Sequence, residues 1–373
     1  MHLPHAALED WMRDFYFDTS IDLGSSGVQC WSLAELRRLL GITVEELDEI
    51  ALDDSPSYGG PNLRRAVADR FAAGDTDRVM ATHGSTEAIF VVMNALLSAG
   101  DEVVVPDPAY HSLTSVAEAI GCRLVRWRLR PETGFTPDLD ELRALVTPRT
   151  RMIVLNFPHN PTGAHLTRGQ FDDLLGLVDG HDLHLVWDAA FAELVYGQEP
   201  LPDPSTLHDR CIGLGTMSKA YGLPGTRVGW CLAAPEILAR LVPLRDALTI
   251  CLSPLTEHLA ARALTDADLI LAIRRAQAAR NLDRLAAWAE DNADLVSWTR
   301  PSGGVTAFPA VVGVADTEEL CRELGRRHDL LLVPGSGFGH PDRVRLGFGG
   351  AEDAFGEGLA RLHKALVERR GTL

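Results

Sequence analysis

The chain has 373 residues, more than one typical hydrophobic core accommodates, so two lobes are expected, with ample apolar content to bury. Lysines and arginines number 35 against 52 acidic residues, and the formal charge of −17 argues against nucleic acid or an anionic membrane as the main partner, though not against a small phosphate in a local basic pocket. The six cysteines form no C-x-x-C pair and read as reduced core thiols of a cytoplasmic protein, with no structural metal site.

The first residues, MHLPHAALEDW, carry neither a basic leader nor a long apolar run, and no stretch reaches membrane-spanning length. Residues 1 to about 22 mix aromatics with acids and predict an amphipathic helix or arm. IDLGSSGVQCW then predicts a short strand entering a Ser/Gly turn, followed by helical patterns over Leu33 to Leu40 and Val44 to Leu52. SPSYGGP breaks the pattern. From Asn62 an amphipathic helix leads into alternating short apolar runs and helices. The strand candidates are Arg78–Thr82, Glu102–Val105, Arg123–Trp127, Met152–Asn156, Leu183–Trp187, Cys211–Leu214 and Val228–Ala233. Runs of this kind, bounded by Gly, Pro, Asp or Asn, suit buried strands of a helix-covered parallel sheet, so the class is α/β. After Pro254 come long helices to about Asp291 and a tail with GGVTAFPAVV, TEELCRELGRRH, LLLVPG and RVRLGFG. The tail and the first 50 or so residues are expected to share one smaller lobe, since neither has enough strands for a sheet of its own.

The candidate chemistry lies at strand ends. His83-Gly84-Ser85-Thr86 opens a helix, where free backbone N–H groups and two hydroxyls suit a phosphate ester or serve as plain caps. Tyr110 follows a strand at the carboxyl edge, where it either stacks on a planar ring or packs under a loop. NFPHNPTG, with two X-Pro bonds, makes a rigid holder for Asn160. Asp188 ends a buried strand and needs a cationic partner, such as a protonated pyridine nitrogen, unless it caps a helix. In TMSKAYGLPGTRVGW, Lys219 and Arg227 place an amine and a phosphate-holding guanidinium in one loop. Arg345, within an apolar strand, expects a carboxylate from a ligand or from the chain itself.

Occurring in this order, these segments resemble the fold-type I pyridoxal phosphate enzymes of the class I/II aminotransferase superfamily over nearly the whole chain. The resemblance implies a large domain with a mostly parallel seven-stranded sheet between helices, plus a smaller α/β lobe from both termini. It assigns 1–54 to the N-terminal arm and part of the small domain, 55–254 to the cofactor-binding domain and 255–373 to the rest of the small domain. By residue, it implies Ser85, Thr86, Thr216 and Arg227 on the phosphate and Tyr110 on the ring face. Asn160 would bond the phenolate oxygen, Asp188 the pyridine nitrogen, Lys219 would be the covalent anchor, and Arg345 would clamp the substrate carboxylate. Gly24 lies where the family's N-terminal strand passes over the substrate, with Ser25 beside it. A homodimer is implied as well.

Two positions depart from that family. Phe191 stands where it has a tyrosine bonded to the phenolate oxygen, and Asp54 where it often has a tyrosine reaching a neighbouring subunit's phosphate; Tyr58 is in another register. Without the phenol, the imine joining Lys219 to the cofactor is expected to hold its proton better, a hint of chemistry other than amino transfer. Within the superfamily, IDLGSSGV, ATHGSTEA, NFPHNPTGA, Asp-Ala-Ala-Phe, SKAYGLPGTRVGWC and SGGVTAFP are similar to capreomycidine synthases, enzymes of peptide-antibiotic biosynthesis. That similarity implies dehydrative cyclisation of 3-hydroxyarginine. Lys219 would act as base at Cα, the 3-hydroxyl would leave as water, and a guanidine nitrogen would close the ring at Cβ. Glu9, ahead of Asp10 and Asp14, is the expected acid for the guanidine; Ser25, Ser26 or His83 would protonate the leaving hydroxyl. The alternatives are an ordinary aminotransferase for a basic or aromatic amino acid, and a non-catalytic cofactor-binding regulator.

Overall fold

A computed structural model describes residues 3–370; Met1, His2 and Gly371–Leu373, the outermost residues of the arm and tail, lie outside the described part. All seven expected strands form, and they form one sheet. In chain order they follow β1 (Ile21–Asp22) as β2 (Val79–Thr82), β3 (Glu102–Asp107), β4 (Arg123–Arg128), β5 (Thr150–Asn156), β6 (His184–Asp188), β7 (Cys211–Thr216) and β8 (Gly229–Leu232). The sheet order is β2-β8-β7-β6-β5-β3-β4, and only β8 runs against its neighbours.

Successive residues of a strand face opposite sides, and here both sides are covered. Ile153, Leu155, Leu185 and Trp187 belong to one apolar cluster, whereas Met152, Val154 and Val186 belong to the other. These strands are therefore apolar without alternation, which is why they stand out in the sequence. Each large side chain so buried contributes roughly 1.5–3 kcal/mol.

The smaller lobe draws on both ends of the chain. β1 pairs in parallel with Leu330–Leu331, and Val344–Gly347 lies between Thr306–Ala307 and Val333–Pro334 as an antiparallel set. The expected N-terminal helix is α1 (Ala7–Phe15), which buries Leu8, Trp11 and Phe15 and donates from Trp11 Nε1 to the Leu332 carbonyl at 2.8 Å. Then come α2 (Leu33–Leu40), α3 (Val44–Asp48) and α4 (Pro61–Phe71). The third helix is shorter than its pattern predicts. It starts on a Thr43 cap, but Asp48 and Glu49 place negative charge at its C-terminal end, where the helix dipole disfavours it. The cysteines also differ from expectation: all six are free thiols, but only Cys211, Cys231 and Cys321 are buried, and Cys30 is exposed on the turn after β1. Among the described residues no helix is long and apolar enough to cross a membrane.

Candidate active site

The reversed direction of β8 has a local consequence. Parallel strands present their carboxyl ends on one edge, and an antiparallel strand presents its amino end there, so Arg227, just before β8, reaches the same edge as the residues after β2, β3, β5, β6 and β7. Register reinforces this: Asn156 lies opposite Asp188, and Gly229 opposite both Thr216 and Thr82. A cavity of about 640 Å³ opens at this edge. It is lined by Ser85, Thr86, Tyr110, Asn160, Asp188, Phe191, Thr216, Lys219, Arg227 and Arg345, with Glu9 and Ser25 over them.

One end of the cavity is built for an anion. Helix α5 (Gly84–Leu96) begins there with no side-chain cap, so Ser85 and Thr86 stand in its first turn, as sites on the helix and not as caps. Gly84 has φ +74°, and a Cβ on it would come within 2.8 Å of Arg227 Nη2; glycine is what lets the guanidinium reach the helix start. Arg227 itself holds φ +52° and donates to the Pro224 carbonyl at 3.0 Å and to Ser218 Oγ at 3.4 Å. Thr216 Oγ1 donates to the same Ser218 hydroxyl at 3.0 Å. A helix N-terminus, a guanidinium and four hydroxyls fit a phosphate monoester.

Beyond it stand an amine and a carboxylate. Burial pushes the Lys219 amine down to about 8, aided by the Arg345 guanidinium and opposed by Asp188. Burial likewise pushes Asp188 up to about 6, against the Ala190 N–H that its Oδ1 accepts at 3.1 Å and the charge of Lys219. No helix follows Asp188, so this is a turn bond and not the helix cap considered from sequence. A buried carboxylate so destabilised fits a cationic ring nitrogen as its partner. Phe191 is buried with its ring centroid 5.8 Å from Lys219 Nζ, and it offers that amine no hydroxyl.

Among the described residues no Asp or Glu forms an ion pair with Arg345. It donates to the Gly24 carbonyl from Nη2 at 2.8 Å and from Nε at 3.2 Å, and Nη1 lies 3.4 Å from Asn160 Oδ1. That orients the Asn160 amide with Nδ2 free to donate to a ring oxygen. The Asn160 loop is tied to the Tyr110 loop through His159, whose Nε2 meets the Pro108 carbonyl at 3.0 Å; burial pushes that imidazole down to about 4. Tyr110 donates to Glu9 Oε1 at 3.2 Å, and burial together with the Glu9 charge pushes its phenol up to about 12.

Not every expected residue reaches the cavity. His83 faces Glu87 at 3.5 Å, and Asp10 pairs with Arg13 on α1; His83, Asp10 and Asp14 do not line it. Gly24 contributes only its carbonyl, as above. Sequence reasoning missed Asp22, Asn156 and Ser218. Asp22 faces the cavity because β1 pairs with Leu330–Leu331, a distant register that no local pattern reveals; its Oδ1 accepts the N–H groups of Gly24 and Ser25 at 2.7 and 2.8 Å. Ser218 had a signal, its place between Thr216 and Lys219.

A family model described as aminotransferase class I and II matches residues 37–362. The chain is 46% identical over 379 residues to capreomycidine synthase of Streptomyces vinaceus, an alignment that covers 99% of this chain and 97% of that one. It is 31% identical over 325 residues to an arginine–pyruvate transaminase of Pseudomonas aeruginosa, covering 83% and 81%. Among solved structures it superposes on the pyridoxal phosphate-dependent cyclase OrfR with a TM-score of 0.93 at 43% identity, covering 99% and 98%.

Proposed function

The chain belongs to the class I and II aminotransferase family, whose cofactor is pyridoxal phosphate, and we propose that it cyclises a 3-hydroxylated arginine with loss of water, giving capreomycidine. The observation that carries this reading is the sharing of one cavity by Arg345, matched to a substrate carboxylate, and by Glu9 and Asp22, matched to a guanidinium. An amino acid with a cationic planar end group satisfies both sets. The likeness to a capreomycidine synthase and to a cyclase, together with Phe191 in place of a tyrosine, supports ring closure over amino transfer.

Ser85, Thr86, Thr216, Ser218 and Arg227 would hold the phosphate, Asn160 and Asp188 the ring, and Lys219 the aldehyde carbon. When bound, the cofactor supplies an electron sink for the carbon that bears the substrate amine. Lys219, displaced by that amine, takes the proton from Cα. It then returns the proton to the departing 3-hydroxyl, which leaves as water and opens Cβ to attack. Glu9 and Asp22 keep the guanidine bent over Cβ, so that its nitrogen arrives before solvent does. The proton which that nitrogen sheds goes back to Cα through Lys219. One water is lost and no acceptor is consumed.

A second reading, transfer of the amino group from arginine to a keto acid, is favoured by the arginine–pyruvate transaminase likeness. Incubation with 3-hydroxyarginine and mass spectrometry decides between them. A product lighter by one water, formed without pyruvate, is expected; a keto acid formed only when pyruvate is present would overturn the cyclase reading. We place the site in a homodimer. The exposed Leu248 and Ile250, beside a helix end, support a second copy packing there. Cytoplasmic peptide-antibiotic biosynthesis is the setting that fits the substrate.

A further inference from the structure

The Lys219 amine donates to the hydroxyl of Ser26 at 2.8 Å, although the two residues come from opposite lobes. Ser26 is only 8% exposed and lines the same cavity. Its position is fixed from both sides. Upstream, Asp22 holds the Ser25 N–H, and the Leu23 carbonyl accepts from Gly347 N at 2.7 Å. Downstream, Val28 N donates to the Lys219 carbonyl at 3.3 Å and Gln29 N to the Gly349 carbonyl at 2.8 Å. Residues 22–29 thus form a strap across the lysine loop, with the Ser26 hydroxyl delivered to the amine.

We propose that Ser26 is a catalytic group, whose hydroxyl holds Lys219 Nζ in both of its protonation states and so fixes the path by which that amine moves a proton at the substrate Cα.

The argument is one of donor and acceptor capacity. An ammonium has donors only, and a neutral amine has a lone pair to fill. A hydroxyl serves both, accepting from the first and donating to the second by rotation about its C–O bond, with the heavy atoms in place. Carboxylates such as Asp188 and Glu9 only accept, and Phe191 does neither. Ser26 therefore supplies on the amine a hydroxyl that Phe191 cannot. When the Cα–H bond breaks, its proton goes to Nζ and the electron pair stays with the substrate and cofactor. The Ser26 hydrogen turns away, its oxygen accepts from the new ammonium, and no proton ends on serine. The inference rests on Lys219 being the proton carrier described above. It is independent of whether the 3-hydroxyl then leaves.

Two measurements on the full chain test it with Ser26→Ala and Ser26→Thr. The first follows, by absorbance against pH, the rate at which cofactor-free protein captures pyridoxal phosphate, which requires the neutral amine. Ser26→Ala is expected to move the midpoint to lower pH, because the charge-assisted bond lost by the buried ammonium is stronger than the neutral one lost by the amine. The second follows deuterium entry at Cα of arginine in heavy water with the cofactor bound. There Ser26→Ala is expected to be slower by roughly ten- to a hundredfold. Ser26→Thr, which keeps the hydroxyl, is expected to stay near wild type in both. Exchange within twofold of wild type in Ser26→Ala overturns the proposal. So does slower exchange with an unmoved capture midpoint, which loosened packing alone would produce. Arginine cannot lose a 3-hydroxyl, so wild-type exchange without ring closure on 3-hydroxyarginine refutes the cyclase reading and leaves Ser26 to be judged by the same two readouts. If wild type fails to exchange arginine at all, arginine does not stand in for the hydroxylated substrate and the capture midpoint decides Ser26.

Discussion

Arg345 donates twice to the carbonyl oxygen of Gly24, so the residue matched to the substrate carboxylate also fastens the N-terminal strap over the cavity. Arg345→Lys keeps the charge but loses the planar fork. Substrate KM is expected to rise by roughly a hundredfold, in line with loss of a bidentate charged pair. Protection of the Gly24 and Ser25 amides, which Asp22 accepts, from hydrogen exchange should fall in parallel. Steady-state kinetics and exchange mass spectrometry on the same sample check both.

Asp188 is expected to trade stability for function. Its folded-state pKa, about 6 against 3.8 ordinarily, is raised by burial, so the folded chain binds that proton more tightly than the unfolded one. The stabilisation linked to it is complete below pH about 4 and is lost as pH rises through about 6. Asp188→Asn should therefore raise the melting temperature of the cofactor-free protein at pH 7, by up to about 3 kcal/mol in free energy, with no gain at pH 4. The same variant with cofactor should lose at least about a hundredfold in turnover, because the ring nitrogen loses its charged partner. Calorimetry at the two pH values and a single-turnover assay separate the effects.

Phe191→Tyr restores a phenol beside the cofactor's ring oxygen. The absorbance titration of the cofactor joined to Lys219 should then shift to lower pH, since the added donor stabilises the deprotonated form. Keto-acid formation from arginine and pyruvate should rise with it. A titration unchanged from wild type would remove the phenyl ring from the account of why this site departs from amino transfer.

Behind the cavity, Tyr221 donates to Glu193, whose Oε1 also accepts from Arg70 Nε at 2.7 Å. These residues tie the Lys219 loop to the segment after Asp188. Tyr221→Phe should cost about 1.5–3 kcal/mol, the worth of a bond to a charged acceptor. Glu193→Ala should cost about 1–3 kcal/mol, because Tyr221 loses its acceptor while Arg70 keeps Asp268 as a partner. Denaturant midpoints measure both.

The large sheet was legible because both of its faces are covered: runs such as Met152–Leu155 are apolar at every position and are followed by a residue that no core needs, here Asn156. Asp188, Lys219 and Arg227 stand out for that reason. What local pattern could not reveal depends on pairing between distant segments. Asp22 enters the cavity only through the register of Ile21 with Leu330, and Ser26 meets Lys219 only because the strap is pinned between the two lobes. His83 and Asp10 are of the right type at nearby positions, yet side-chain partners on their own helices hold them elsewhere.

The pairing of Ile21 with Leu330 also orders events during synthesis. On a ribosome every strand between Val79 and Leu232 is made before the partner of β1, so a sheet formed at that stage would present its carboxyl edge without the strap. A segment made before the sheet waits for one made after it. A sheet formed at that stage would leave Lys219 without Ser26 beside it until Leu330 is made, and cofactor supplied during translation would shield that amine.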